Sequence, residues 1–327
     1  MIRAAIYGVT GYGGAELARL LLGHPEVTLV AATSRDPGRR LDAVHPGLRG
    51  LTDLTVTLSD PAALPADLDA VFLALPHGES ASLADAIAAR CPDARLFDLA
   101  QDFRTGAEDR GWVYGLPELF RAQIAEARRV ACPGCFATAI LLGTAPAVHA
   151  DLGLRHIIVD AKTGSSGSGA SPKTLTHHPV RVETIRAYKV FTHQHEREIK
   201  ATWQRLAGRR PLPPLSFVPQ SAANVRGIYA CCYLVQEQPG AVHVLDLYRR
   251  FYDGARFVQV CEEPPNVIDV RGTNNAALYV QEHEGVTLVI SAIDNLCRGA
   301  SGQAVQCLNL ACGLPEDHGL RLAAWNP

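Results

Sequence analysis

Residues 2–22 read IRAAIYGVTGYGGAELARLLL, which is an apolar strand pattern, a glycine-rich turn and an amphipathic helix in direct succession. Glycines in such a turn let backbone N–H groups approach a pyrophosphate at the N-terminus of the following helix. Their spacing is G-x-x-G-x-x-G, unlike the G-x-G-x-x-G of many dinucleotide folds. The segment predicts the first βα unit of a nucleotide-binding sheet. Its candidate cofactor contacts are Gly8, Thr10, Gly11, Tyr12, Gly13 and Gly14.

Further apolar strand patterns extend this sheet along the N-terminal third of the chain. They lie at 27–32, 71–75 and 95–99 and alternate with helical segments. This alternation is typical of a mostly parallel, doubly wound α/β sheet of the Rossmann type. Ligands bind such sheets beyond the carboxyl ends of the strands, so Pro76 and His77 are further candidate cofactor contacts.

The second strand pattern ends without the acidic residue that holds a ribose 2′-hydroxyl in NAD-preferring folds. Ser34 and Arg35 stand there instead, and a hydroxyl beside a guanidinium suits a 2′-phosphate. We therefore expect NADP(H) as the cofactor. The alternative interpretation of Arg35 is a solvated surface side chain.

One cysteine follows a Pro-Gly turn in ACPGCFATAI, residues 131–140. The apolar run after it favours a helix, so the Cys135 sulfur is expected at or near a helix N-terminus. Free N–H groups and the helix dipole stabilise a thiolate there and lower the thiol pKa toward neutrality. We interpret Cys135 as a nucleophile. The alternatives are a buried structural thiol and a redox pair with Cys132.

Two histidines, His193 and His195, stand two residues apart in the middle of the chain. Imidazole titrates near neutrality, so either ring is a candidate general acid–base. A zinc site formed with Cys132 and Cys135 is an alternative, but one Cys-x-x-Cys pair without a matched second pair is a weak zinc signal. We predict no metal site.

Two arginines and a Gly/Ser loop are candidates for binding the substrate. Arg104 follows a strand pattern and matches an anionic group bidentately, with an ion pair to a neighbouring aspartate as an equal alternative. Arg226 precedes a further strand pattern. The loop DAKTGSSGSGA, residues 160–170, includes Gly164 and offers backbone N–H groups as a nest for a phosphate.

The second half of the chain predicts an α+β domain with a mostly antiparallel sheet, because its strand patterns are separated by fewer helices. These patterns lie at 156–160, 215–218, 227–235, 275–281 and 286–293. The apolar helix near the C-terminus is too short to form a domain by itself. We expect its apolar face to pack against the nucleotide-binding sheet. The predicted domains are 1–134 with 295–327, which binds NADP, and 135–294, which carries catalysis and oligomerisation.

Composition excludes several other functions. The 327 residues carry a formal net charge of −2, with no basic run and no apolar run near the roughly 20 residues of a membrane span. Nine irregularly spaced cysteines are typical of a reducing compartment, and Met1 leads directly into a strand pattern without a signal peptide. We expect a cytoplasmic protein that binds neither nucleic acid nor a membrane.

Motifs over nearly the whole chain together resemble the N-acetyl-γ-glutamyl-phosphate reductases of the aspartate-semialdehyde dehydrogenase-like superfamily. They occur in the order that the family shows. They are GVTGYGGAEL (8–17), TSR (33–35), LALPHG (73–78), DFR (102–104), YGLPEL (114–119), PGC (133–135), DAKTGSSGSGA (160–170), HQHEREI (193–199), VRGI (225–228) and AIDNLCRGASGQAVQ (292–306).

The resemblance implies NADPH-dependent reductive dephosphorylation of an acyl phosphate to a semialdehyde, in arginine biosynthesis. It implies a thioester on the cysteine, an acid–base from the histidine pair, a substrate-binding arginine, and two residues beside the nicotinamide. It also implies a homodimer or homotetramer that forms through the second domain. The implied residues are Cys135, His193, His195, Arg104, Asn295 and Gly299.

Three segments, HPGLRG (45–50), FATA (136–139) and HHP (177–179), are more similar to the sister enzyme of lysine biosynthesis. That relative reduces an aminoadipyl phosphate carried on an acidic protein. The acyl phosphate is therefore open between five and six carbons, and an acidic carrier protein is a possible partner. A non-catalytic NADP-binding sensor is the alternative from a different class.

Overall fold

The computed structural model describes residues 1–237, 240 and 242–325. Within these residues the chain forms two compact units, each with its own seven-stranded sheet. Unit 1 contains Met1–Gly134 and Ala300–Leu322, and unit 2 contains Cys135–Gly299 and residues 323–325. The predicted domains stay a prediction. Five residues of these predicted domains are not among the residues that the structure describes, namely 238, 239, 241, 326 and 327.

The sheet of unit 1 is entirely parallel, which confirms the Rossmann-like class. Its strands are β1 (Ile2–Tyr7), β2 (Val27–Ser34), β3 (Thr57–Leu58), β4 (Ala70–Leu73), β5 (Arg95–Asp98), β6 (Trp112–Tyr114) and β7 (Arg129–Ala131). They are ordered β3-β2-β1-β4-β5-β7-β6, and each neighbouring pair runs parallel. The order changes direction beside β1, so the glycine turn after β1 lies where such sheets bind ligands.

Helices pack against this sheet and against each other. They are α1 (Tyr12–Leu22), α2 (Leu41–Val44), α3 (Ser80–Arg90), α4 (Pro117–Glu126) and α9 (Gly302–Ala311). Val71 and Leu73 of β4 share one buried cluster with Ala84 and Ile87 of α3. Helix α9 is buried along nearly its whole length and packs on α1, α4 and β5. The C-terminal helix therefore uses the core of the first sheet, as its apolar pattern predicts.

The sheet of unit 2 is mixed and mostly antiparallel, which confirms the α+β prediction. Its strands are β8 (Leu154–Thr163), β9 (Arg186–Ala187), β10 (Leu215–Ser221), β11 (Ile228–Gln236), β12 (Val258–Cys261), β13 (Ala276–His283) and β14 (Val286–Ile293). They are ordered β12-β13-β14-β11-β8-β10-β9. Only the β8–β10 and β12–β13 pairs run parallel among these described strands.

One long helix organises unit 2. The helices here are α5 (Cys135–His149), α6 (His178–Arg181), α7 (His195–Ala207) and α8 (Val244–Phe251). Helix α5 is buried from Phe136 to Val148 and lies between the sheet and α7 and α8. Tyr248 and Trp203 anchor it through hydrogen bonds to the Gly143 carbonyl and the Thr144 hydroxyl. Despite this apolar character, none of the described helices is long and apolar enough to cross a membrane.

Candidate active site

Cys135 is the first residue of α5 and is partly exposed. The first N–H groups of a helix have no partner within the helix, so the sulfur lies at the positive end of a 15-residue buried dipole. Gly299 packs directly on this residue, because a Cβ added there would lie only 2.6 Å from the Cys135 Cβ. The predicted position at a helix N-terminus is confirmed.

The histidine pair packs on Phe136, the next residue along α5. The ring centroids of His193 and His195 lie 5.6 and 6.2 Å from that of Phe136, and 4.6 Å from each other. Both side chains are buried, and His195 is the first residue of α7. Packing of α7 on α5 therefore brings together the cysteine end and the histidine pair, which are about 60 residues apart in the chain.

The surroundings of His193 fix the protonation of its ring. Nδ1 of His193 accepts the backbone N–H of His195 at 3.2 Å, so the neutral ring carries its proton on Nε2. Burial, assisted by the charge of Lys189, lowers the pKa of His193 to about 4. His193 is therefore neutral at pH 7 and is suited to donate a hydrogen bond. His195 is the better candidate to exchange a proton during turnover.

Tyr188 is a neighbour of this site that the sequence analysis did not single out. Its ring lies 5.7 Å from that of His193. Burial, together with the adjacent Cys135 sulfur, raises the pKa of the Tyr188 phenol above its usual value. The phenol therefore stays protonated beside Cys135. A signal for it was present, since Tyr188 stands only five residues before His193 in the same segment.

The redox-pair and zinc interpretations of Cys132 find no support. Cys132 is fully buried, and burial raises the pKa of its thiol far above the ordinary value, so it stays protonated. No disulfide joins Cys132 and Cys135, both of which the structure describes. Among the described residues, no three His, Cys, Asp or Glu side chains are grouped so that they could hold a metal ion.

Arg104 is buried in unit 1, next to the residues that follow β5 and β7. Its Nε donates to the Cys132 carbonyl and its Nη2 to the Leu99 carbonyl, each at 2.8 Å. The guanidinium therefore holds the backbone just before the Pro-Gly turn. Asp102, one candidate ion-pair partner, accepts the backbone N–H groups of Gly78 and Ala81 near the start of α3. Substrate binding by Arg104 stays a prediction.

The Gly/Ser loop does not form the expected phosphate nest. Its N–H groups at positions 164, 165 and 166 donate to the carbonyls of Gly227, Asn224 and Val225. Those at 167 and 169 donate within the loop. These five N–H groups are thus engaged by carbonyls, because the loop is pressed against residues 224–227. A substrate contact at Gly164 stays a prediction.

Two further candidates, Arg226 and Asn295, are engaged in unit 2. Arg226 pairs bidentately with the buried Asp294 carboxylate, with N–O distances of 2.9 and 2.8 Å. Asn295 accepts the Gly227 N–H at 2.6 Å and donates to the Ser166 hydroxyl at 3.0 Å. Asn295 therefore ties the Gly/Ser loop to the strand end of β14. Nicotinamide contacts of Asn295 and Gly299 stay predictions.

The glycine turn of unit 1 fits a dinucleotide. Gly8 has a φ of +95°, and a Cβ at Gly14 would lie 2.6 Å from the Val9 carbonyl oxygen, so both positions require glycine. At Gly11, the residue that caps α1, an added Cβ would meet nothing within 4 Å. The turn is thus closely packed against the strand that precedes it, and it leaves space next to the first N–H groups of α1. A helix N-terminus of this kind is a typical binding site for a diphosphate.

The candidate contacts beyond β2 and β4 form the adjoining surface of unit 1. The exposed Arg35 guanidinium forms an ion pair with Glu79, which follows the Pro76–Gly78 turn. Ser34 is buried and donates its hydroxyl to the Asp36 carbonyl. His77 accepts the Gln101 N–H through Nδ1. An exposed guanidinium is available to a 2′-phosphate after exchange of its partner, so Arg35 fits the predicted NADP(H).

The chain matches two protein families and is similar over its full length to curated relatives. The family of the semialdehyde dehydrogenase NAD binding domain matches residues 3–127, and that of the semialdehyde dehydrogenase dimerisation domain matches residues 135–295. An N-acetyl-gamma-glutamyl-phosphate reductase of Dehalococcoides mccartyi is 40% identical, over 99% of both chains. The enzyme of that name from Acidithiobacillus ferrooxidans is 41% identical, over 100% of both.

Solved structures with the same fold are aspartate semialdehyde dehydrogenases. Aspartate semialdehyde dehydrogenase II of Vibrio cholerae superposes with a TM-score of 0.74 at 17% identity and covers 96% of this chain and 99% of its own. The Candida albicans enzyme, solved with NADP, gives 0.73 at 15% identity over 95% and 98%. At such low identity the likeness shows the two-domain fold alone.

Proposed function

Because this chain belongs to the N-acetyl-γ-glutamyl-phosphate reductases of the semialdehyde dehydrogenase family, we propose that it reduces N-acetyl-γ-glutamyl phosphate to its semialdehyde with NADPH, in arginine biosynthesis. One observation carries the proposal. Cys135 begins a buried helix, and the His193/His195 pair packs on the residue beside it. Thioester chemistry requires a stabilised thiolate and an acid–base within reach of each other.

In the first half of the proposed reaction the Cys135 thiolate attacks the acyl carbon. A carbon–sulfur bond forms, the carbon–oxygen bond to phosphorus breaks, and phosphate leaves with the electron pair. The dipole of α5 favours the thiolate before attack. The neutral Nε2–H of His193 and the protonated phenol of Tyr188 are candidate hydrogen-bond donors to the developing oxyanion.

The second half of the reaction needs a reductant and a proton. NADPH, when bound, supplies the hydride that reduces the acyl carbon. We propose that His195 donates the proton that the oxygen of the resulting thiohemiacetal takes up. His195 then accepts that proton again as the semialdehyde forms. When the carbon–sulfur bond breaks, Cys135 regains its thiolate.

We propose that NADPH is held by unit 1 through groups of two kinds. The N–H groups of residues 10–14 face the diphosphate, because the turn is open above Gly11. Arg35 and Ser34 lie at the carboxyl end of β2, where a 2′-phosphate would be recognised. Pro76 and His77, at the end of β4, belong to the same edge of the sheet.

The test is NADP-linked, phosphate-dependent oxidation of N-acetylglutamate semialdehyde by the purified protein. We propose a reducing, cytoplasmic setting, because nine irregularly spaced cysteines are typical of one, and the assay therefore contains a reductant. We expect turnover that Cys135→Ser abolishes and that Cys261→Ser, a change at another partly exposed thiol, leaves intact. Full activity of Cys135→Ser would refute the nucleophile. NADPH binding without turnover by the unmodified protein would favour the sensor.

A second candidate substrate is aminoadipyl phosphate on an acidic carrier protein. The observation that favours it is the segment 173–191, in which the apolar side chains of Ile185 and Phe191 and the cations Lys173, Arg186 and Lys189 are all exposed. The same segment contains Tyr188, the neighbour of Cys135. Assaying the free N-acetylglutamate and the carrier-bound aminoadipate semialdehydes side by side decides between the two substrates.

We also propose that the protein forms a homodimer or homotetramer through the open face of the unit 2 sheet. Helices α5, α7 and α8 cover one face. The other face exposes Ile158 by 40% and Tyr233 by 38%. Light scattering of Ile158→Asp and Tyr233→Asp variants tests this. We expect monomers, and an unchanged oligomer would place the interface elsewhere.

A further inference from the structure

The buried Asp294 carboxylate collects several hydrogen bonds beside the turn that packs on Cys135. It is fully buried and accepts two hydrogen bonds from Arg226. It also accepts the backbone N–H groups of Gly272, Leu296 and Cys297 at 2.7–2.8 Å. Five donors thus converge on one carboxylate that the sequence analysis did not consider.

These bonds fix the turn that lies against Cys135. The N–H groups of Leu296 and Cys297 fold the backbone around the Asp294 carboxylate, and the Asp294 carbonyl then accepts the Gly299 N–H at 2.8 Å. Gly299 is the residue without room for a Cβ, because the Cys135 Cβ lies where that carbon would project. A displacement of this turn would therefore directly change the position of Cys135 or the packing around it.

Arg226 connects the same turn to a second element. Its side chain is 11% exposed, and its guanidinium carbon lies 5.1 Å from the centroid of the Trp325 ring. Its neighbours Asn224 and Val225 accept the N–H groups that hold the Gly/Ser loop in place. The ion pair thus links the loop segment to the 294–299 turn across 68 residues of sequence.

We propose that the Arg226–Asp294 pair is a positioning unit that holds the 294–299 turn against Cys135, and that Arg226 does not bind the substrate directly. The role in catalysis rests on the proposed function. Recruiting the guanidinium to a substrate would leave a fully buried carboxylate without its cation, which is strongly unfavourable. The stacked, bidentate arrangement suits a fixed structural pair.

The test compares Arg226→Gln with Arg210→Gln. Arg210 is a matched control, because it holds the other end of α5 by donating to the carbonyls of Val148 and His149. Two readouts are measured: the second-order rate constant for alkylation of Cys135 by iodoacetamide, followed by peptide mass spectrometry across a range of pH, and kcat and KM for the acyl phosphate.

For Arg226→Gln we expect alkylation and kcat to fall by about tenfold, with KM changed by less than about threefold, because a nucleophile displaced by a fraction of an ångström loses rate rather than affinity. Arg210→Gln should keep the wild-type alkylation profile. A KM raised tenfold or more with unchanged alkylation would make Arg226 a substrate contact and overturn the proposal. Unchanged values for both readouts would also overturn it.

Two further points keep the test decisive. If Arg226→Gln does not fold, Arg226→Lys and Trp325→Leu disturb the pair more mildly, and each should still slow alkylation of Cys135. Alkylation requires no substrate. A protein that fails to reduce any acyl phosphate, yet shows slowed alkylation in the Arg226 variants, would refute the proposed function and retain the positioning unit.

Discussion

Two glycine-rich segments of this protein look alike in sequence and serve opposite purposes. In the turn Gly8–Gly14 the tight contacts face the protein's own strand, and the space above Gly11 is open. In the loop Gly164–Gly169 five N–H groups already donate to carbonyls, and a Cβ at Gly164 would lie 2.4 Å from the Val225 carbonyl oxygen. The first segment leaves open space at a helix N-terminus, whereas the second is packed against another stretch of backbone.

The difference shows that glycine content alone does not indicate an anion site. What matters is whether a helix N-terminus follows, so that its N–H groups have no partner in the chain. The turn Gly8–Gly14 leads into the 11 residues of α1. The Gly/Ser loop contains only one short turn of 3-10 helix among its described residues, Ser165–Ser168, and the first two N–H groups of that turn donate to the carbonyls of Asn224 and Val225.

The largest effect is expected from Gly14→Ala. The added Cβ would lie 2.6–2.7 Å from the carbonyl groups of Gly8 and Val9, and rigid backbone atoms cannot move aside. We expect a loss of roughly 3 kcal/mol in the free energy of unfolding, and loss of NADPH binding, since overpacking against backbone shifts α1. Urea denaturation and fluorescence titration measure both. Gly13→Ala, with contacts no closer than 3.9 Å, should keep the stability. Equal stability of both variants would contradict the tight turn.

The next largest effect concerns pH, and the two units should respond in opposite directions. Unit 2 contains His193, whose pKa burial lowers to about 4 from 6.5. Between pH 6.5 and about pH 4 the unfolded state binds this proton and the native state does not. The free energy of unfolding therefore falls as pH decreases, by up to about 3 kcal/mol. Unit 1 contains Asp98, whose pKa burial raises to about 6 from 3.8. There the native state holds the proton, so stability falls as pH rises from about 4 to 6.

Unfolding followed at pH 4 to 7 with Trp112 as the probe of unit 1 and Trp203 as the probe of unit 2 measures these slopes. His193→Asn should flatten the profile reported by Trp203, and Asp98→Asn should flatten that reported by Trp112. If stability changed with pH in the same direction at both probes, or if the substitutions left the pH dependence unchanged, the predicted difference between the units would be wrong.

A smaller effect is expected at the loop, from Gly164→Ala. Its Cβ would collide with Val225 and the Arg226 N–H, so the loop must separate from its partner segment. We expect a loss of about 2 kcal/mol in stability and a lower kcat, with NADPH affinity unchanged, because these residues belong to unit 2. Gly167→Ala, whose closest contact is a side-chain hydroxyl at 3.3 Å, is the milder control. Weakened NADPH binding in Gly164→Ala would mean that the loop does hold the nucleotide.

The smallest effect is expected beside the glycine turn, from Arg35→Ala. Loss of a charged hydrogen bond to the 2′-phosphate should raise the KM for NADPH about tenfold and leave that for NADH unchanged. Glu79→Gln is the companion variant, since it releases Arg35 from its ion pair and should not raise the KM for NADPH. Equal effects of Arg35→Ala on both nucleotides would argue against a 2′-phosphate contact.

Local pattern was sufficient for most elements of the fold. The strands at Ile2–Tyr7 and Val286–Ile293 are where their apolar runs predict them, and α5 begins at Cys135 as the Pro-Gly turn before an apolar run predicts. Strand–helix alternation distinguished the parallel from the mostly antiparallel sheet. In each case the signal lies within about 20 residues of sequence.

The partners of the polar side chains were not predictable in this way. Arg104 was considered for a substrate or an aspartate, and its hydrogen bonds to the carbonyls of Leu99 and Cys132 were not predicted. Arg226 finds a carboxylate 68 residues away, and the Gly/Ser loop finds carbonyls about 60 residues away. Periodicity identifies the buried face of an element, but it does not specify which distant donor meets which acceptor.

By itself the sequence determined the class of each domain, the helix that presents Cys135, the histidine pair and the open glycine turn, because each depends on neighbouring residues and on hydrophobic period. Only the tertiary structure decided that His193 is held neutral, which N–H groups of the Gly/Ser loop are engaged by carbonyls, and that Asp294 pairs with Arg226 beside the turn that packs on Cys135. Those properties depend on burial and on hydrogen bonds between remote segments, and both exist only after the chain has folded.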